Sequence, residues 1–248
     1  MRSFKITVAY KGSEYAGWQV QRNAKTVQGE FEKALKKITG QSLRAIASGR
    51  TDSGVHAIAQ VVSLNIDTPM APAMLCRALN GNLPRDISIE SIEEVEMGFH
   101  AIRDAEGKRY RYLIQDGRQR DVFAGGLSWQ CTYQLDMETM VRAAEFLVGE
   151  HDFSSFEAAG SERATSIRDI RELSLCRKQI AGFSQIVIEV EADGFLYNMV
   201  RNIVGTLVEV GRGAREPEWM LEVLAAKNRI AAGPTAPPEG LYLLEVYY

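Results

Sequence analysis

The chain has 248 residues, of which 46% are hydrophobic and 25% charged, and a formal net charge of −3. This is the profile of an ordinary globular protein of one large or two small domains, and without a run of about 18 apolar residues it excludes a membrane-spanning helix. The opening Met1–Tyr10 mixes charge with apolar residues and has no signal-peptide core, while Cys76, Cys131 and Cys176 form no C-x-x-C and His56, His100 and His151 are scattered, so neither a disulfide framework nor a metal site is implied and a reducing cytoplasm is expected.

In chain order, Phe4, Ile6, Val8 and Tyr10 alternate as one face of a strand. Gly12 and Gly17 punctuate a loop. Thr26 can cap a helix with Val27, Phe31, Ala34, Leu35 and Ile38 inward and Gly40 at its end. A strand near 43–48, a turn at Asp52, a strand over 59–66, a Pro-opened helix over 73–79 and a strand over 86–95 complete a β-α-β-β-α-β half. The second half repeats that order, with strands at 108–115, 166–176, 183–191 and 241–246 and helices after Asp136 and over 196–211, plus an added helix after Pro217. The fold class is therefore α+β. Two similar ferredoxin-like halves, 1–104 and 105–248, form an extended mixed or antiparallel sheet with helices on one side and a central cleft.

Charge is unevenly spread. Arg103, Lys108, Arg109, Arg111, Arg118 and Arg120 fall in one segment, against acid at Glu90, Glu93, Glu94 and Glu96. One basic face on an acidic body suits a polyanion; the plainer alternative is a solvated surface.

The chemistry concentrates in Gly49-Arg50-Thr51-Asp52-Ser53-Gly54-Val55-His56-Ala57. A turn aspartate commonly bonds only its own backbone. Here glycines on both sides allow close backbone approach, and Arg50 favours the ionised carboxylate that a nucleophile or base must keep. An aspartic-protease reading of Asp52-Ser53-Gly54 lacks the second D-[ST]-G that a proton-sharing pair requires.

These residues resemble the catalytic signature of the TruA family of tRNA pseudouridine synthases. So, in family order, do Gly17-Trp18-Gln19-x-Gln21, Thr26-Val27-Gln28, Asn82-Leu83-Pro84-x-Asp86-Ile87, Phe99-His100-Ala101, Lys108-Arg109-Tyr110-Arg111-Tyr112, Asp152-Phe153-Ser154-Ser155-Phe156, the run Phe195–Gly205, and Gly240-Leu241-Tyr242-Leu243. The family reads F-H-A-R-F where this chain has Phe99-His100-Ala101-Ile102-Arg103, a displacement of one position that in a strand would turn the arginine to the other face.

The resemblance implies isomerisation of uridine to pseudouridine at positions 38, 39 and 40 of the tRNA anticodon stem-loop by a cytoplasmic homodimer, without cofactor or metal. It makes Asp52 the catalytic carboxylate and places Tyr110 against the target base. Arg50 assists extrusion of the base from its stack. Arg201, a charge among the apolar residues of its helix, is expected to pair with Asp52 and to serve substrate binding. Arg50, Arg118 and Arg103 are candidate tRNA contacts, whereas His56 is expected to be structural. Two other classes fit the same aspartate: a non-catalytic tRNA-binding module and a hydrolase.

Overall fold

The computed structural model describes residues 1–158, 165–180 and 183–248. Among the described residues the chain forms ten strands and five α-helices, a mixed α+β fold. Its contacts divide it into two units, Met1–Glu106 with Tyr242–Tyr248, and Gly107–Leu241. The last seven residues thus join the first unit, where a contiguous division at 104/105 places them in the second half. None of the helices among the described residues is long and apolar enough to cross a membrane.

The first unit contains β1 (Arg2–Tyr10), α1 (Val27–Thr39), β2 (Ile46–Ala47), β3 (His56–Ile66), α2 (Pro72–Asn80) and β4 (Ile87–Val95), together with all of β10 (Leu241–Tyr247) after its first residue. Strand β1 lies between β4 and β3, antiparallel to both, with Phe4 opposite Leu64 and Glu94. Its alternation buries Phe4, Ile6, Val8 and Tyr10, the period of two that a half-covered sheet requires. The other edge of β3 is shared: Ile46 and Ala47 of β2 pair Ser63 and Val62, and β10 runs parallel to the opposite end, Tyr242 against His56. Helix α1 starts on a Thr26 side chain that accepts from Gly29 N and ends at Gly40 with φ 72°, a left-handed stop. Phe31, Leu35, Leu75 and Leu79 from α1 and α2 close the core.

The second unit holds β5 (Gly107–Asp116), β6 (Trp129–Cys131), α3 (Met137–Glu145), β7 (Gly149–Asp152), β8 (Ile167–Ile180), β9 (Phe183–Ala192), α4 (Met199–Gly211) and α5 (Trp219–Ala226). The antiparallel order is β5-β9-β8-β7, and β6 runs parallel on β5. Helix α4 is buried at every position except Arg201 and Glu209, and its buried set includes the polar Asn202 and Thr206. The loop Gly233–Ala236 crosses it so closely that a Cβ on Gly205 would sit 1.7 Å from the Pro234 carbonyl oxygen. Buried Asn202 fastens the same loop, accepting from Thr235 Oγ1 at 2.6 Å and from Arg229 Nη2 at 3.1 Å, and donating to the Phe156 carbonyl at 2.7 Å. Burial lowers the Arg229 pKa.

Several elements differ from their sequence pattern for local reasons. The strand expected at 43–48 shrinks to Ile46–Ala47. The Ala45 N–H goes instead to Glu32 Oε1 and its carbonyl to Gln28 Nε2, so α1 side chains take the hydrogen bonds a ladder would use. The helix expected from 196 begins at Met199, because Asn198 is left-handed at φ 60°. The helix after Asp136 stops at Glu145, which leaves Val148 exposed. Strands β6 and β7, of 3 and 4 residues, are too short for alternation to single them out; they are short additions to an existing sheet.

Gly205→Ala is expected to lower unfolding free energy by about 3 kcal/mol, since neither backbone can yield without unseating the other. Urea denaturation checks it, and a change below about 0.5 kcal/mol would contradict the packing.

Candidate active site

The Asp52 turn connects β2 to β3. Val55 N donates to the Asp52 carbonyl at 3.1 Å, closing a four-residue turn whose third residue, Gly54, has φ 81°. That conformation at the third position demands glycine. Asp52 is half-buried and Ser53 exposed, whereas Thr51, Val55 and His56 are buried. The turn thus presents its acid from a base that cannot move freely.

The base is held by a polar network inside the core. Thr51 Oγ1 lies 2.8 Å from Tyr10 Oη. Gln60 Nε2 donates to the Gly49 carbonyl at 2.9 Å, and Ser48 Oγ donates to Gln60 Oε1 at 2.7 Å. Burial pushes the Tyr10 hydroxyl pKa up to about 12, against the smaller opposing pull of its hydrogen bonds to Thr51 and Gln60; it stays protonated and available as a donor at neutral pH. Behind the turn runs the loop Lys11–Trp18. Trp18 N donates to the Thr51 carbonyl at 3.0 Å, and at Gly17, φ 89°, a Cβ would meet that same oxygen at 2.6 Å. His56 Nδ1 accepts from Gly12 N at 3.1 Å, and its ring stacks on Tyr242 at 4.6 Å. A buried ring so held fits the structural role expected of His56.

The other first-unit residues singled out from sequence are Arg50 and Arg103. Arg50 is exposed on the Asp52 loop. Arg103 is also exposed, but it lies in a turn rather than a strand, so the face-switching argument for its displacement does not apply. Its Nε donates to Asp104 at 2.9 Å and its Nη2 to the Gly98 carbonyl at 2.7 Å.

In the second unit, Tyr110 lies on β5 opposite Val190, 8% exposed, with the Phe195 ring edge-on at 4.9 Å. Phe195 is a neighbour that sequence reasoning did not assign; its signal is its place just before the Asn198–Arg201 motif. Arg201 is half-buried on α4. Within its unit its Nε donates to the Ala236 carbonyl at 2.8 Å and its Nη1 to Asn198 Oδ1 at 3.2 Å. Left-handed Asn198 and the 233–236 loop thereby fix the direction of the guanidinium. Arg118 is exposed in the segment after β5.

The basic segment is less basic than its sequence. Arg109 stands opposite Glu191 and Arg111 opposite Glu189 in the β5–β9 ladder. Arg111 bonds Glu189 at 2.7 Å, and Arg109 reaches Glu191 at 2.9 Å as well as Glu172 and Glu189. Cross-strand partners neutralise this stretch. It is not a bare cationic face: Arg103, Arg118 and Arg120, at its two ends, are exposed, and of these Arg103 is engaged by Asp104 and Gly98.

The fold is α+β and the Asp52 carboxylate stands on a glycine-dependent turn; comparison with known proteins gives the class. The sequence profile of the tRNA pseudouridine synthase family matches residues 6–102 and 143–248. Among curated proteins, tRNA pseudouridine synthase A of Moorella thermoacetica is 48% identical over 250 residues, covering all of both chains. That of Acetivibrio thermocellus is 44% identical over 248 residues, again all of both. That of Halalkalibacterium halodurans is 44% identical over 242 residues, 97% of this chain and 90% of the relative. The chain belongs to the tRNA pseudouridine synthase family and is an isomerase.

Thr51→Val keeps the shape of the side chain but strips Tyr10 of its shortest hydrogen bond. A loss of about 1–2 kcal/mol in urea denaturation is expected; an unchanged midpoint would show that the network does not hold the turn.

Proposed function

We propose that the chain converts uridine to pseudouridine at positions 38, 39 and 40 of the tRNA anticodon stem-loop, with Asp52 as the catalytic carboxylate. The reaction breaks the bond between ribose C1′ and base N1, turns the base, and joins C5 to C1′. A proton leaves C5 and one is gained at N1, so there is no net redox change. A fixed carboxylate serves by attacking C1′, by adding to C6 of the base, or by removing a sugar proton. The observation that carries the reading is the half-buried Asp52 on a turn braced from behind by Thr51, Gly17 and the Tyr10–Gln60 network.

Reaching the sugar requires the nucleotide to leave its stack, at a cost of a few kcal/mol. Arg50, exposed on the Asp52 loop, is the residue proposed to take the vacated space. Tyr110 stacks on the uracil, its ring oriented by Phe195, and Arg201 serves substrate binding. Arg118 contacts the RNA backbone. Arg103 is the weaker backbone candidate, because Asp104 and Gly98 already engage its guanidinium. RNA of this kind is read largely by shape and phosphate. With a net charge of −3, the chain gains from a cytoplasmic homodimer that sets the exposed cations of two subunits against one tRNA.

Asp52→Asn is expected to slow pseudouridine formation by about 10²–10⁴-fold or more and to leave folding and tRNA affinity near wild type, measured by chemical labelling of pseudouridine and filter binding. Normal turnover by this variant ends the proposal. At Tyr110, a stacking role predicts that Phe keeps most of the rate while Ala loses about tenfold or more; equal rates for the two variants count against stacking.

A further inference from the structure

We infer that Asp86, acting through Tyr15, is a positioning residue for the turn that carries Asp52; the inference rests on Asp52 being the catalytic acid. The sequence block around Asp86 has no part in the chemistry described above, and Asp86 immediately precedes β4, away from the turn in sequence. Two bonds tie it to the loop behind the turn. Lys11 N donates to the Asp86 carbonyl at 2.9 Å, and Tyr15 Oη donates to Asp86 Oδ1 at 2.5 Å.

Tyr15 is the link. The residue is 2% exposed, and its backbone carbonyl faces the turn, accepting from Ser53 Oγ at 3.1 Å and from Gly54 N at 3.4 Å. One residue therefore grips the backbone on the C-terminal side of Asp52 and is itself anchored at the phenol. Burial, with the Asp86 hydrogen bond, raises the Tyr15 pKa, so the phenol stays a donor at neutral pH. A bond from a neutral donor to a carboxylate is among the stronger kinds. Lys25 Nζ lies 4.4 Å from the centre of the Tyr15 ring and helps hold its plane.

The arrangement separates two functions. The buried phenol offers no surface to RNA, so loosening the anchor leaves binding alone. The same loosening lets the Asp52 carboxylate wander from its working position, and displacement by about 1 Å is enough to cost about 100-fold in rate.

The test uses full-length protein carrying Tyr15→Phe, Asp86→Ala, Asp86→Asn, or Tyr15→Phe with Asp86→Ala. The readouts are single-turnover pseudouridine formation per folded molecule, tRNA Kd, and amide exchange at Ser53–Val55 in the free protein. Tyr15→Phe and Asp86→Ala are expected to lower the rate about 10- to 100-fold at unchanged Kd and to speed exchange in the turn. The double variant should be no slower than Asp86→Ala, because both changes cut one linkage. Asp86→Asn should recover most of the rate, since its amide oxygen still accepts from Tyr15. Unchanged rate and exchange in Tyr15→Phe, multiplied losses in the double variant, or an Asp86→Asn as slow as Asp86→Ala would each overturn the inference. If wild-type protein makes no pseudouridine, the functional reading fails, and the exchange data then decide the brace separately.

Discussion

The first unit depends on how closely two stretches of backbone can lie. The loop ending in Gly17 and Trp18 rests directly on the Thr51 carbonyl, at a separation that admits no side chain on Gly17. The contact does more than cover the turn. The Gly17 and Trp18 carbonyls accept from Val27 N and Gln28 N, two of the amides that the start of a helix leaves without intrahelical partners. The same two residues therefore satisfy the opening of α1 and the back of the Asp52 turn. Helix, turn and strand β3 are joined through a few backbone atoms, and the position of the acid follows from secondary structure rather than from a flexible loop.

A parallel solution appears in the second unit. Helix α4 admits the Gly233–Ala236 loop at Gly205 and fastens it through buried Asn202. Arg201, one of two positions on α4 that are not buried, then has its guanidinium directed by Asn198 and Ala236. In both units a candidate site residue, Asp52 or Arg201, stands beside a glycine contact and a buried polar network. Such networks are costly when half satisfied and rigid when complete, and rigidity is what a site acting through position needs.

Electrostatics shows the same economy. Arg109 and Arg111 answer glutamates across the strand, and Arg177 answers Asp116 at 2.6 Å. Burial, the largest single influence on Asp116, would raise its pKa, but the bonds to Arg177 and Leu135 together with the Arg177 charge outweigh it and the pKa is lowered. Cations spent in this way hold a sheet together. Those at Arg50 and Arg118 lie exposed on loops, where a polyanion can meet them.

Much of this was legible in the residues alone. The alternation of Phe4 to Tyr10, the Thr26 cap with its Gly40 stop, and the glycine-bracketed Asp52 are local signals, because burial period, capping and left-handed turns depend on neighbours in the chain. The motifs also carried the family. Only the tertiary structure decided that Gly17 is required by Thr51, that Asp86 reaches the turn through Tyr15, that Glu32 and Gln28 take the hydrogen bonds of Ala45, and that the arginines of β5 face glutamates of β9. Each of these joins residues well separated in sequence. No periodicity records such a pairing; it exists only once the strands have chosen their register and the loops have closed over them.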